Sequence, residues 1–132
     1  MKLEITNYIQ VGDQNEAIHQ SYEGRLEKKG DYTYLLYQNE EDEKVVLKFK
    51  EDELVMTRFS QPQSIMRFVK EQQVPVGIQT PMGLQRFISQ TDTFHLNEAE
   101  QSLTMTYQLL TADAGSVFAR YDFRLIWGKE TS

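Results

Sequence analysis

The stretch "LTMTYQL", from Leu103 to Leu109, alternates strictly between bulky apolar and polar side chains. Leu, Met, Tyr and Leu occupy its odd-numbered positions, and Thr, Thr and Gln occupy the even-numbered ones. Successive side chains of a β-strand point to opposite faces of the sheet. The stretch therefore predicts a strand with one face in the core and the other face in water.

The same alternation recurs along most of the chain. Turn-forming residues interrupt it about every 8–14 residues, which is typical of an all-β sandwich or barrel. The other segments predicted as strands are 2–11, 17–27, 32–38, 44–50, 54–59, 74–79, 83–96 and 116–127. Between the first two of these, Gly12-Asp13 predicts a turn and Gln14-Asn15-Glu16 predicts a polar loop.

Segment 65–72 fits two structures. Ile65, Phe68 and Val69 are spaced for one face of a helix, whereas the alternation from Met66 onwards fits a strand. We favour the strand because the segment is short and lies between other predicted strands.

Two prolines shape the segments that follow. Pro75 has no N–H to donate, so strand 74–79 is expected at a sheet edge or a bulge. In Thr80-Pro81-Met82-Gly83, proline at the second position and glycine at the fourth match a type I turn. We therefore expect a hairpin corner between strands 74–79 and 83–96.

About eight to ten antiparallel strands with short connections predict an up-and-down meander. An open meander would leave two exposed edges, and closure into a barrel removes them. We therefore predict an all-β fold, a single closed antiparallel up-and-down barrel of about eight to ten strands. The length of 132 residues fits one domain, residues 1–132.

Composition argues against several classes of protein. The chain contains no cysteine, which removes disulfides, cysteine-based zinc sites and thiol catalysis. Its net charge of −6 works against nucleic-acid binding, which depends on neutralising phosphates. Because no signal peptide and no long apolar run are visible, we expect a cytoplasmic protein with no nucleic-acid or membrane partner.

The sequence contains no pattern that indicates catalysis or metal binding. His19 and His95 lie in no nucleophile-elbow context, and no third ligand is spaced to complete a metal site with them. The acidic tip, residues 39–43, lacks the glycine and the spaced oxygens of an EF-hand loop. We therefore predict no catalytic residue, no metal and no cofactor, and we do not expect an enzyme.

Several short motifs follow one another in a fixed order over nearly the whole chain. They are Tyr34-Leu35-Leu36-Tyr37 before the acidic tip, Lys48, Val55-Met56-Thr57-Arg58, Met66-Arg67-Phe68, Thr80-Pro81-Met82-Gly83 and Leu103–Leu109. In this order the chain resembles the YwiB-like family, small bacterial proteins of unknown function. The resemblance implies a calycin-type (lipocalin-like) β-barrel and a bacterial cytosolic setting, and it implies no reaction.

Two arginines share strand faces with large apolar residues. Arg58 alternates in phase with Leu54 and Met56, and Arg86 with Leu84 and Ile88. An arginine that points into a barrel is costly unless it is paired. Two interpretations stay open: an ion pair at the barrel mouth, with Glu23 or Asp92 as partner, or a cation that binds the carboxylate or phosphate of a ligand.

Two hypotheses of function follow. In the first, the barrel binds a small amphipathic or anionic ligand in its lumen, and the candidate ligand-binding residues are Arg58, Arg86, Tyr34, Tyr37, Tyr107 and Tyr121. In the second, the barrel is structural or binds a protein partner, and its own side chains fill the lumen. Neither hypothesis specifies an oligomeric state.

Overall fold

A computed structural model of the chain describes residues 1–128, apart from the side chains of residues 79 and 80. Its strands are β1 (Lys2–Val11), β2 (Gln14–Lys29), β3 (Tyr32–Gln38), β4 (Lys44–Lys50), β5 (Glu53–Arg58), β6 (Ser64–Val69), β7 (Gln73–Thr80), β8 (Gly83–Asn97), β9 (Ser102–Thr111) and β10 (Val117–Trp127). Between them, the described residues form only turns and bends.

The strands form one antiparallel sheet in the order β6-β5-β4-β3-β2-β1-β10-β9-β8-β7. Strands adjacent in sequence are adjacent in the sheet, with one exception: β6 and β7 form no ladder with each other in the described chain. The first and last strands, β1 and β10, pair instead. The predicted all-β up-and-down barrel is therefore confirmed, and it is nearly closed, with a seam between β6 and β7.

Strand β8 bridges this seam. The N–H of Glu71 donates to the carbonyl of Thr91 at 2.8 Å, and the N–H of Thr91 donates to the carbonyl of Gln72 at 3.2 Å. The buried hydroxyl of Ser89 donates to the carbonyl of Arg67 at 3.0 Å. These bonds hold the end of β6 and the turn after it against β8.

Large side chains pack the inner face of the strands. The ring of Phe49 lies 5.3 Å from that of Trp127, and the ring of Phe68 lies 4.4 Å from that of Tyr107. The largest fully buried side chains are Phe49, Phe68, Phe94, Phe123, Leu3, Leu35, Leu47, Leu54, Leu103, Met105, Leu109 and Leu125. Burial of each contributes about 1.5–3 kcal/mol, so the side chains that fill the interior also stabilise the barrel.

Two local predictions need correction. Residues 14–16 belong to β2 rather than to a loop, because Val11 pairs with Gln14 and Gly12-Asp13 alone make the turn. Segment 65–72 is a strand as favoured, but only as far as Val69, and residues 70–72 form the turn at the seam. Within residues 1–128, the structure contains no helix of the length and apolar character needed to cross a membrane.

Candidate functional site

A groove of about 720 Å³ crosses five adjacent strands, β2, β1, β10, β9 and β8. We call it the outer groove, and it is lined by Tyr8, Ile9, Gln10, Asn15, Glu16, Ala17, Asp92, Thr106, Tyr107, Gln108, Arg120, Tyr121 and Asp122. Most of these positions alternate with inward ones: Arg120 follows buried Ala119, and Asp122 precedes buried Phe123. Because a strand turns successive side chains to opposite faces, the groove lies on the outside of the barrel.

The register of the sheet aligns one polar residue from each of six strands in a single row. The row consists of Gln73, Gln90, Gln108, Arg120, Gln10 and Asn15, on β7, β8, β9, β10, β1 and β2. We call it the carboxamide row, and Arg120 is its charged member. Opposite side chains of an antiparallel pair lie about 4.5–5.5 Å apart at Cβ, so Gln108 and Gln10 are the cross-strand neighbours of Arg120 on its two sides.

Asp92 orients the amides at the β8 end of this row. It sits at a bulge in β8, where its two carboxylate oxygens accept hydrogen bonds from Nε2 of Gln90 and Nε2 of Gln108, both at 3.1 Å. Gln73 in turn donates from Nε2 to Oε1 of Gln90 at 2.9 Å. Because the amide nitrogen of Gln108 is bonded to Asp92, its carbonyl oxygen is left to accept a hydrogen bond from a ligand.

Arg124 and Asp122 pair with each other beside the row, whereas Glu16, Asp92 and Arg120 form no ion pair among the described residues. Arg124 donates to both carboxylate oxygens of Asp122 at 3.3 Å, and these hydrogen bonds raise the pKa of Arg124. Its guanidinium also lies 5.2 Å from the ring centre of Tyr8. Arg120 forms no ion pair with any residue in the described part of the chain. It is therefore a groove cation that a ligand can bind.

Tyr107 and Tyr121, two of the predicted ligand-binding residues, border the outer groove from its inner side. Their rings stack in the core with centres 4.6 Å apart and planes inclined by 9°. Burial raises the pKa of both hydroxyls, so both stay neutral at physiological pH. Since the rings point inward, their main chain forms part of the groove floor, and direct ligand contact by the hydroxyls stays a prediction.

Arg58 and Tyr37 lie in one row at the rim of the barrel, two strands apart. Nε of Arg58 lies 3.7 Å from Oε1 of Glu43. The ion pair expected at the mouth is therefore present, but its partner is Glu43 rather than Glu23 or Asp92. This pairing leaves Arg58 less free than Arg120 to bind an anion.

The ring of Tyr37 stacks on that of Tyr22, with centres 4.5 Å apart. Burial raises the pKa of Tyr37 to about 12. The hydroxyl of Tyr22 donates to Glu40 at 2.7 Å, and this hydrogen bond lowers the pKa of Glu40. The acidic tip is thus bonded to the middle of β2 through Glu40.

Arg86 lies on the outer face of β8, outside the outer groove. The prediction that its apolar neighbours face the interior is wrong, because Leu84 is 53% exposed. The buried face of β8 instead carries Phe87 and Ser89. Because a small polar serine lies on the inner face of β8 and a leucine on its outer face, the alternation of apolar and polar residues pointed to the wrong face as the buried one.

Tyr34 also lies on an outer face, that of β3, since it precedes the fully buried Leu35. The amino groups of Lys29 and Lys48 lie 5.7 and 5.8 Å from its ring centre. The six predicted ligand-binding residues are therefore not brought together at one place.

Sequence analysis did not identify Arg120, Gln10 or Tyr8 as site residues. They come from two strands far apart in sequence, so only the register of β1 with β10 shows that they are neighbours. The one available signal was the run of polar side chains at alternate positions of segment 116–127. Across residues 1–128, no three histidine or acidic side chains are close enough together to hold a metal ion.

The fold and the groove together define a class of protein. It is a ten-stranded, nearly closed antiparallel β-barrel of the calycin (lipocalin-like) type, with a packed interior. The chain belongs to the family described as Domain of unknown function (DUF1934), whose model matches residues 3–125. The resemblance inferred from the order of the motifs is thereby confirmed.

The chain is also similar to a solved structure, the crystal structure of the ywiB protein from Bacillus subtilis. The TM-score is 0.75 at 17% sequence identity, and the alignment covers 97% of this chain and 91% of that one. At this identity the similarity shows a shared fold. No curated protein matches the sequence.

Proposed function

We propose that the protein is a binding module for a small amphipathic molecule that carries an anionic group, and that this molecule occupies the outer groove. One observation carries the proposal: Arg120 lies without an ion-pair partner among the described residues, between Gln10 and Gln108 in the carboxamide row. A guanidinium binds carboxylate or phosphate groups in bidentate geometry. The flanking amides supply both donors and acceptors for the rest of the polar part.

The size and the remaining lining of the groove support the same proposal. Pockets for small molecules measure about 300–1,000 Å³, and the outer groove measures about 720 Å³. Tyr8 is 46% exposed, so its ring can contact the apolar part of a ligand while Arg124 holds it in place. Ala17, which lies opposite Tyr8, adds apolar surface.

A site in the lumen receives less support. The interior is occupied by fully buried phenylalanine, leucine and methionine side chains. Arg58, the anchor expected there, is paired with Glu43. We therefore combine the ligand of the first hypothesis with the filled lumen of the second, and we keep the bacterial cytoplasm as the proposed setting because the chain lacks cysteine.

Native mass spectrometry of the protein purified from the organism that encodes it tests this proposal. We expect part of the protein to carry a bound small molecule, which is released on denaturation. In the Arg120→Gln variant the bound fraction should fall about tenfold or more, because a hydrogen bond to a charged group is lost. The glutamine preserves most of the side-chain volume, so the fold should be unaffected.

The matched control is Arg25→Gln. Arg25 is an exposed arginine on β2 that lies outside the groove and pairs with Glu27 at 3.5 Å. This variant should retain the bound molecule at the wild-type level. Equal retention by the Arg120→Gln variant, or protein that carries no small molecule, would contradict the proposal.

A further inference from the structure

Strand β2 is the longest strand, and it has two different neighbours on its two sides. Its residues 14–23 pair with β1 on one side, and residues 24–29 pair with β3 on the other side. On the side away from β1, the side chains of Gln20 and Tyr22 donate hydrogen bonds to the carboxylate of Glu40. Residues 14–19 have no strand beside them on that side within the described chain. We call this side of residues 14–19 the open edge.

The hydrogen-bond pattern of the hairpin shows which groups the open edge presents. Met1 and Gly24 exchange both of their main-chain hydrogen bonds, at 3.0 and 2.8 Å. Such pairs alternate along an antiparallel ladder with pairs that exchange none. Because Gly24 belongs to a hydrogen-bonded pair, every second residue before it does too, so the even-numbered residues of β2 form hydrogen bonds with β1. The odd-numbered residues Asn15, Ala17 and His19 therefore direct their N–H and C=O groups to the open edge.

The two strands that end the sheet, β6 and β7, are protected. Strand β7 ends the sheet and contains Pro75, which lacks an N–H. Strand β6 ends the sheet at the seam, where Ser89 bonds to the carbonyl of Arg67. Proline, lysine and bulges are the usual protection of an edge strand. Residues 14–19 contain no proline or lysine, and their ladder with β1 has no bulge.

The charges around the open edge indicate what charge a binding partner would carry. Asp13 and Glu16 are exposed and form no ion pair among the described residues, and Glu40 lies beside the next residues of β2, where it accepts hydrogen bonds from Gln20 and Tyr22. His19 is the one ionisable base in residues 14–19. A second copy of this chain would bring like charges together, whereas a basic strand would complement them.

We infer that the open edge of β2 is a docking site for an extended, lysine- or arginine-rich segment of a partner protein, which adds to the sheet as a further strand. The main chain of Asn15, Ala17 and His19 supplies the hydrogen bonds, and alternate side chains supply specificity. The basic side chains of the added strand share a face with Glu16, and its apolar side chains lie on the face of Ala17. This inference does not depend on the ligand of the outer groove, although Asn15, Glu16 and Ala17 also line that groove.

The test is an NMR titration of the ¹⁵N-labelled full chain with the peptide Lys-Val-Lys-Val-Lys-Val-Lys. We expect saturable shifts of the amides of Asn15, Ala17 and His19, weakened by salt because the attraction is electrostatic. The matched peptide Glu-Val-Glu-Val-Glu-Val-Glu should produce none. Equal binding of both peptides, or shifts centred elsewhere, would overturn the inference. Concentration-dependent shifts of the same amides without peptide would overturn it in favour of self-association.

Two variants of Ala17 separate main-chain pairing from side-chain effects. Ala17→Pro removes an N–H that faces the open edge without removing a bond to β1, and it should weaken peptide binding about tenfold or more. Ala17→Val keeps the N–H and should bind as the wild type does. Unchanged binding by the Ala17→Pro variant would refute the inference.

A charge reversal keeps the inference testable if the proline variant does not fold. Glu16→Lys should weaken binding of the lysine peptide and reduce its preference over the glutamate peptide. A preference that stays the same would refute the assigned partner. Arg120→Gln should leave peptide binding unchanged, so failure at the open edge is distinguishable from failure at the outer groove.

Discussion

Ser89 and Thr91 lie two residues apart on the inner face of β8, and both are fully buried, but their hydroxyls differ. The hydroxyl of Ser89 donates to the carbonyl of Arg67 and links β8 to β6. The hydroxyl of Thr91 has no hydrogen-bond partner among the described residues. A buried hydroxyl stabilises a fold only when it is bonded, so the two residues should respond to substitution in opposite directions.

Ser89→Ala should lower the free energy of unfolding by about 1–2 kcal/mol, because a partly buried hydrogen bond between β8 and β6 is lost. Thr91→Val should raise it by about 1 kcal/mol, because a similarly shaped side chain replaces an unbonded hydroxyl. Urea unfolding measures both changes as shifts of the midpoint at an unchanged slope. Ser21→Ala, at an exposed position of β2, is the control and should shift nothing. Shifts of the same sign for Ser89→Ala and Thr91→Val would contradict this account.

Residue type alone did not predict these positions. Alternation on β8 was judged from its bulky residues, so Leu84 was expected inward with Arg86 and Ile88, the reverse of what is observed. The serine is inside because it bonds across the seam, which is a tertiary contact. Of the two interpretations left open for Arg58, the ion pair is observed, but its partner Glu43 lies in the acidic tip before β4 and could not be chosen from the sequence.

Among the elements, β2 leaves β1 and joins β3 at Gly24. A Cβ atom on Gly24 would collide with the side chain of Leu3 and lie 2.9 Å from the main-chain oxygen of Leu36. Leu3 is fully buried, so it has little room to move. The absence of a side chain at this position allows β1 and β3 to approach β2 from its two sides.

Gly24→Ala should therefore destabilise the protein by about 1–3 kcal/mol, the usual cost of overpacking a core. The control is Gly77→Ala, where the added Cβ would lie 3.1 Å from the end of the half-exposed Leu84 side chain. The Leu84 side chain can move, so the Gly77→Ala variant should lose much less stability than the Gly24→Ala variant. The melting temperatures of the two variants are compared. Equal losses of stability would show that close packing against Leu3 and Leu36 is not what requires a glycine at position 24.

Most strands were predictable because their local pattern agrees with their environment. The predicted segments 2–11, 32–38 and 44–50 coincide with β1, β3 and β4. The start of β2 was missed because Gln14, Asn15 and Glu16 have the composition of a loop. They form a strand because the two-residue turn at Gly12-Asp13 brings them directly beside β1.

For the whole molecule, all-β architecture and up-and-down order follow from period-two alternation and short connections. The sequence pattern does not predict the pairing of β1 with β10 or the seam between β6 and β7, because both depend on long-range contacts. The outer groove also has no local signature. Its lining comes from five strands, and the carboxamide row exists only once the register of six strands is set.

The central claim is that a ligand binds outside a filled barrel rather than within it. The most direct test compares the ¹H–¹⁵N spectrum of protein isolated from its own organism with that of the same protein stripped of small molecules by unfolding and refolding. The account predicts that shift differences are confined to the outer groove, at Tyr8, Gln10, Thr106, Gln108, Arg120 and Asp122. Differences centred on the interior, around Phe49 and Phe68, or at the rim around Arg58, would contradict it.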